Sequence, residues 1–227
     1  MNWNHDKITE RAAAAHNPLP VNRDRPAAQY GGRSFNPVNW DCRVLAPENW
    51  PDQPILSSPQ VIIQEFSAGR FLNGLALVVS WGAMWRQNNR IYGNRSLRVI
   101  HDALTFCALS LRETKSIDES WERLTGNAQN QLMWSPVITS KTLHFLSRSV
   151  GIEQDPPVAI DNAIILQRVW PIWIEMIPVH HRPQVWRGNT LDSYLRYMTA
   201  INIWANQRGW TTTEIETTIF SVYKNRG

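Results

Sequence analysis

An all-α fold is what this sequence predicts, on three observations. Apolar residues recur at i, i+3 and i+4 through several long stretches, the spacing that gives a helix one buried face. Those stretches open on Ser, Thr or Asp and several close on Gly, the residues that cap helix ends. No alternating run of apolar and polar residues is long enough to build a sheet, and no internal repeat is present. The expectation is about seven to nine helices, in a helical domain over residues 61–227, behind an extended Pro-rich N-terminal arm, residues 1–60.

In chain order, the arm comes first. Residues 16–60 are rich in Pro, Asn, Arg and Gly, as in "HNPLPVNRDRPAAQYGGRSFNPVNW", and Pro at that frequency breaks any long helix. Trp40, Trp50 and Ile55 are expected to pin the arm to the body. From residue 61 the period changes: "VIIQEFSAGRFLNGLALVVSWGAMWRQ" reads as helical, apolar nearly all round in its second half and ending near Gln87. "QNNRIYGN" follows as a polar turn. "SLRVIHDALTFCALSLRET" starts a helix on Ser96, and "SIDESWERLTG" a shorter one with Ser116 or Asp118 as cap and Gly126 as stop. "TSKTLHFLSRSVG" is expected to be helical from Thr139 or Ser140 and closed by Gly151. Pro156 and Pro157 make "EQDPPVAID" a loop, and Asp161 heads "NAIILQRVWPIWIEM". The last part reads as two helices divided at Gly209. Thr190 and Thr211 to Thr213 supply their caps, and "TTTEIE" has the capping-box pattern of Thr with Glu three residues later.

Composition bounds the function. Hydrophobic residues make up 43% and charged residues 19%, a globular balance that excludes global disorder. Twelve Trp imply a heavily packed interior, or ring faces kept for a ligand. Lys plus Arg exceed Asp plus Glu by 23 − 19 = 4, and Arg dominates, a mild bias toward anionic partners such as phosphate. Cys42 and Cys107 match no metal or redox spacing, so no disulfide and a reducing compartment are expected. The first residues lack an apolar h-region and no stretch is apolar enough to span a bilayer, so the expectation is a soluble cytoplasmic protein, without membrane contact. "VHHRP" at 179–183 has two adjacent His and no spaced third ligand, and reads as a loop facing phosphate with Arg182 and Arg187 instead of a metal site.

One pair stands apart from packing. Lys141 falls in the first turn of its predicted helix, where a positive charge opposes the dipole, and no acid stands at i+4 to offset it. Asp161 stands at a helix start after a proline loop, where its simplest role is an N-cap. The two are 161 − 141 = 20 residues apart, across one helix and a return loop, a connection that can bring two helix N-termini to the same side.

The stretch "ITSKTLHFLSRSVGIEQDPPVAIDNAI" resembles the signature of the helix-hairpin-helix DNA glycosylases, the superfamily of endonuclease III and 8-oxoguanine DNA glycosylase. In that family a hairpin leads into a helix with an early lysine, often followed by threonine as in Lys141-Thr142. After the helix, a glycine and a Pro- or Val-bearing loop comes an aspartate, here that of "PVAID". The resemblance covers residues 132–170. Family hairpins usually carry two glycines ahead of the lysine, and "SPVITSK" carries none. Glycines let backbone N–H groups approach a phosphate closely, so that contact is either lost here or taken over by the Thr139 and Ser140 hydroxyls. No four-cysteine cluster is present, which excludes an iron-sulfur site, and no cofactor or metal is expected.

The resemblance implies roles position by position. Asp161 is the carboxylate that steadies the positive charge developing on the sugar as the N-glycosidic bond breaks. Lys141 is a nucleophile on C1′ or an ammonium in the base pocket. Arg86, Gln87, Asn88, Asn89 and Arg90, in "WRQNNRIYG", resemble the loop that fills the gap left by a flipped base; a plain solvated turn is the alternative. Trp81 and Trp85 beside that loop, and Tyr194, Tyr197 and Trp204 on one C-terminal stripe, are candidates for base stacking, or simply core. The implied partner is double-stranded DNA with a modified base, bound by a monomer. Some compact chains of this look remove bulky modified cytosines from phage DNA, which places glucosylated hydroxymethylcytosine ahead of 8-oxoguanine. A non-catalytic DNA-binding protein and a helical scaffold are the competing readings.

Overall fold

The computed structural model describes residues 33–35, 55–82, 91, 95–152, 156–160 and 190–224. Among them the chain is mostly helical, as predicted, and forms two compact units, Tyr30–Ala159 and Met1–Gln29 with Ile160–Gly227.

Unit Tyr30–Ala159 opens on two strands that the sequence does not announce. β1 (Arg33–Phe35) pairs antiparallel with β2 (Ile55–Ser57), Arg33 opposite Ser57. Three residues are too few for an alternating pattern to register. The buried Ser57 hydroxyl donates to the Leu77 carbonyl at 2.6 Å and ties the ribbon to the helices.

Two helices, α1 (Pro59–Ser67) and α2 (Phe71–Trp81), correct the continuous helical run expected over 61–87. α1 starts before residue 61 because Ser58 accepts the Val61 amide and Pro59 takes the first helical position, where its fixed φ is preorganised and its missing N–H needs no partner. It stops because Gly69 stands at φ +74°, a left-handed conformation that disfavours any residue with a β-carbon. Arg70 then forks back onto the Glu65 carboxylate at 2.7 and 2.8 Å, and Asn73 adds a bond at 3.0 Å. The hydrogen bond from Arg70 holds the Glu65 carboxyl below its ordinary range. Gly74, inside α2, has a different reason: a β-carbon there would meet the Phe66 ring at 2.5 Å, so its absence lets α1 and α2 lie close.

The next two helices match expectation. α3 (Leu97–Thr114) starts on Ser96, whose hydroxyl accepts the Val99 amide. α4 (Asp118–Thr125) falls where expected, but its N-cap is Ile117, between the two expected caps, and the Ser116 hydroxyl accepts the Asp118 amide from just ahead of it. Gly126 ends α4 in extended conformation, as expected, with the end of the Gln131 side chain lying against it. Between α3 and α4, Cys107 is a free, buried thiol whose pKa burial pushes up to about 12.

Helix α5 (Pro136–Ser149) packs against α1, α2, α3 and α4 and is the centre of this unit. It begins at Pro136 after Ser135, not at Thr139 or Ser140, for the same reason that α1 begins at Pro59. Gly151, at φ +86°, follows its end as expected. Every residue from 138 to 147 is buried. Leu143, Phe145 and Leu146 have no exposed surface, and each contributes about 1.5–3 kcal/mol by leaving water.

In unit Met1–Gln29 with Ile160–Gly227, α6 (Thr190–Arg208) and α7 (Thr212–Lys224) pack on each other and divide at Gly209, φ +65°. The predicted capping box is present: the Thr211 hydroxyl accepts the Glu214 amide at 3.2 Å, and the Glu214 carboxylate accepts the Thr211 amide at 2.8 Å. Tyr194, Tyr197, Ile201 and Trp204 form the buried stripe of α6, with Ile215 and Ile219 buried on α7. Among the described residues no helix is long and apolar enough to cross a membrane.

Candidate functional site

Because α5 starts at Pro136, Lys141 is its sixth residue and lies in the second turn, so the first-turn argument from the helix dipole does not hold. The position is unusual for another reason. Lys141 is only 4% exposed, and an ammonium taken out of water costs several kcal/mol unless its surroundings compensate. One compensation is the face of Trp81, whose ring centre lies 5.8 Å from Nζ.

Trp81 is the last residue of α2 and is half-buried. Its ring meets Phe145 edge to face, centroids 5.0 Å apart at 88°. Lys141 and Phe145 are one turn apart on the same face of α5, so Trp81 spans both. Phe145 in turn stands at 4.9 Å and 76° to His144.

His144 is buried, and its Nδ1 lies 2.8 Å from the Pro157 carbonyl. A carbonyl only accepts, so Nδ1 carries the proton and Nε2 is the bare nitrogen. Burial pushes the imidazole pKa down to about 4; Arg148 acts in the same direction and the Pro157 carbonyl opposes it. His144 is therefore neutral at physiological pH. Pro157 belongs to the non-helical segment 156–160, all of it buried, which leads in sequence into Asp161.

Other expected site residues fall elsewhere. Thr139 and Ser140 are fully buried inside α5, and the Ser140 hydroxyl donates to the Val137 carbonyl at 3.1 Å. The turn ahead of α5 is made by residues 126–135, with Met133 at φ +56° and 63% exposed, so no hairpin stands directly before Lys141 and neither hydroxyl lies on the surface. Tyr194 and Tyr197 are buried in α6; burial, then Glu216 and Tyr194, push the Tyr197 hydroxyl pKa up. Trp85, Arg86, Gln87, Asn88, Asn89, Arg90 and Asp161 lie outside the described residues.

Of the residues singled out in the sequence, the structure thus joins Lys141 and Trp81, and it adds Phe145 and His144. His144 escapes sequence reading because a lone histidine in a helix has no ligand or catalytic spacing; its place three residues after Lys141 is the one hint. Among the described residues no three His, Cys, Asp or Glu are grouped to hold a metal. What remains is a buried primary amine against an aromatic face, a nucleophile when neutral and an electrostatic anchor when charged.

In a comparison with protein families, the model described as "Putative 8-oxoguanine DNA glycosylase OGG-like protein" matches residues 35–220, most of the chain. No curated protein and no solved structure matches it.

Proposed function

This chain belongs to the 8-oxoguanine DNA glycosylase OGG-like family, and from that premise we propose that it excises a modified base from double-stranded DNA by cleaving the N-glycosidic bond, leaving an abasic site. The observation that carries the reading is the family match over residues 35–220, which takes in both Lys141 and Asp161.

The base first leaves the stack, and the loop with Gln87, Asn88 and Asn89 fills the gap while Arg86 and Arg90 meet phosphates. The N-glycosidic bond breaks with its electron pair going to the base. Asp161 steadies the oxocarbenium-like charge that remains on the sugar. Lys141, if neutral, adds to C1′, gives up a proton to O4′ as the C1′–O4′ bond opens, and forms a Schiff base that water hydrolyses to the abasic site; if charged, it orients the base by its field and water adds to C1′ instead.

For the base itself, the proposal is glucosylated hydroxymethylcytosine of phage DNA, which makes the protein a defence enzyme. A base that carries a sugar needs an aromatic face and partners for hydroxyls, and Trp81 with Gln87, Asn88 and Asn89 are of that chemistry. The second reading, repair of 8-oxoguanine, has the wording of the family description in its favour.

One experiment separates these readings. Wild-type protein and Asp161→Asn are incubated with phage DNA bearing glucosylated hydroxymethylcytosine, with unmodified DNA and with 8-oxoguanine DNA, and abasic sites are counted. The expected result is abasic sites in the first DNA with wild-type protein alone, while the variant still binds DNA. Sites only in the 8-oxoguanine sample would assign the protein to repair, and none in any sample would leave a non-catalytic DNA-binding protein.

A further inference from the structure

We infer that Trp81 is a positioning residue for this reaction: its ring holds the Lys141 ammonium in one place, and its effect on base release runs through that amine. The inference rests on the reading of Lys141 as the amine that meets the sugar or the base.

Lysine carries its ammonium on a flexible four-carbon stem, so a backbone fixed in a helix does not by itself fix Nζ. An aromatic face does, because the negative side of its quadrupole draws a cation toward the ring centre. Nζ lies 5.8 Å from the centre of the Trp81 ring, within reach of that attraction. Lys141 is only 4% exposed, so little water competes with the ring for the charge. The ring is itself held: Phe145, without exposed surface, meets it edge to face at 5.0 Å and 88°. Packing gives a weaker reason for a tryptophan here. Residues 74–80 of α2 are buried, whereas Trp81 at the end of that helix is half-buried and leaves water only in part. Lys141, Trp81 and Phe145 all belong to unit Tyr30–Ala159, and α2 packs directly on α5. The amine is therefore placed from two sides, by the helix that carries it and by the ring at the end of a neighbouring helix.

The test uses the full chain. Trp81→Leu and Trp81→Met remove the ring, Trp81→Phe keeps an aromatic face, and each is also combined with Lys141→Gln. Three readouts are taken: the NMR shift of the Lys141 ε-methylene protons, assigned by their loss in Lys141→Gln; single-turnover base release at saturating DNA; and the Kd for substrate DNA and for the same DNA with an unmodified base. A ring current moves protons above its face upfield. The ε-methylene signal should therefore lie upfield in wild type, less so in Trp81→Phe, and at the ordinary lysine position in Trp81→Leu. Trp81→Leu should slow base release roughly 10- to 100-fold, the scale of a small misplacement of a reacting group, with both Kd values unchanged. Trp81→Phe should retain most of the rate. Whatever release remains in Lys141→Gln should be the same with and without the ring, because the two side chains act as a pair. Trp81→Met reads the same losses if Trp81→Leu does not fold.

An equal loss from Trp81→Leu with and without Lys141, joined to weaker binding of substrate DNA alone, would overturn the inference and leave the glycosylase reading standing, with the ring as a stacking surface for the base. So would a Trp81→Phe variant as impaired as Trp81→Leu, since the role is then packing, or an ε-methylene signal at the ordinary position in wild type. If wild-type protein releases no base from any DNA tested, the glycosylase reading is what fails, and the positioning role falls with it. The NMR shift still reports separately whether the ring holds the amine.

Discussion

Lys141 sets its ammonium 5.8 Å from the centre of the Trp81 ring, and Phe145, one turn further along α5, holds that ring edge to face at 88°. The amine and the aromatic face are thus oriented by the same helix. An amine held this way has few rotamers left to lose, so any reaction at Nζ starts with part of its entropy already removed.

Borohydride should therefore trap a covalent adduct between the protein and DNA containing its substrate base, because reduction of a Schiff base makes the Lys141 link permanent. Lys141→Gln should give no adduct. Full base release by wild-type protein without any adduct would show that water is the nucleophile and that Lys141 acts as an orienting charge.

Acid should weaken the fold through His144. The native imidazole stays neutral down to about pH 4, whereas an unfolded chain protonates near its ordinary 6.5. Between those values the unfolded state binds more protons, so stability falls as pH drops through that window and is fully present above it. The gap of 6.5 − 4 = 2.5 units corresponds to a loss on the order of 3 kcal/mol. Urea unfolding at pH 7 and pH 4.5 should show a smaller loss for His144→Phe than for wild type; equal losses would assign the acid sensitivity to other groups.

Gly69 and Gly74 should respond differently to the same substitution. Gly74→Ala drives a β-carbon into the Phe66 ring and should cost roughly 1–3 kcal/mol, the scale of overpacking. Combining it with Phe66→Leu should recover part of that loss, a coupling that a double-mutant cycle reads directly. Gly69→Ala meets no neighbour, but its φ of +74° should cost about 1–2 kcal/mol, and Phe66→Leu should not relieve it. Strictly additive losses for Gly74→Ala and Phe66→Leu would contradict the close approach of α1 and α2.

Those two glycines also show where sequence reading stops. α3, α4, α6 and α7 are legible because period and end signals agree: Ser96, Gly126, Gly209 and the Thr211–Glu214 box all stand where the helices begin or end. Gly69 and Gly74 look alike in an apolar helical run, yet one breaks the helix and the other lets two helices touch, a difference made by φ and by Phe66 and not by residue type. The starts at Pro59 and Pro136 are misplaced for a related reason, since proline reads as a breaker until its N–H-free first-turn position is known. In the candidate site, Lys141 announces itself by its charge. His144 does not, because its hydrogen bond is to a backbone carbonyl thirteen residues away, and a backbone partner leaves no mark in sequence.

The burial of every residue from 138 to 147 has a consequence for evolutionary comparison. A helix with no solvent-facing side gives selection for stability a hold on each position, whether or not that position also takes part in chemistry. Invariance of Lys141 or His144 among relatives would thus be uninformative by itself, because Leu143 and Leu146 would be invariant beside them. The informative relatives are those in which the packing residues of α5 drift together while the amine and the imidazole stay fixed.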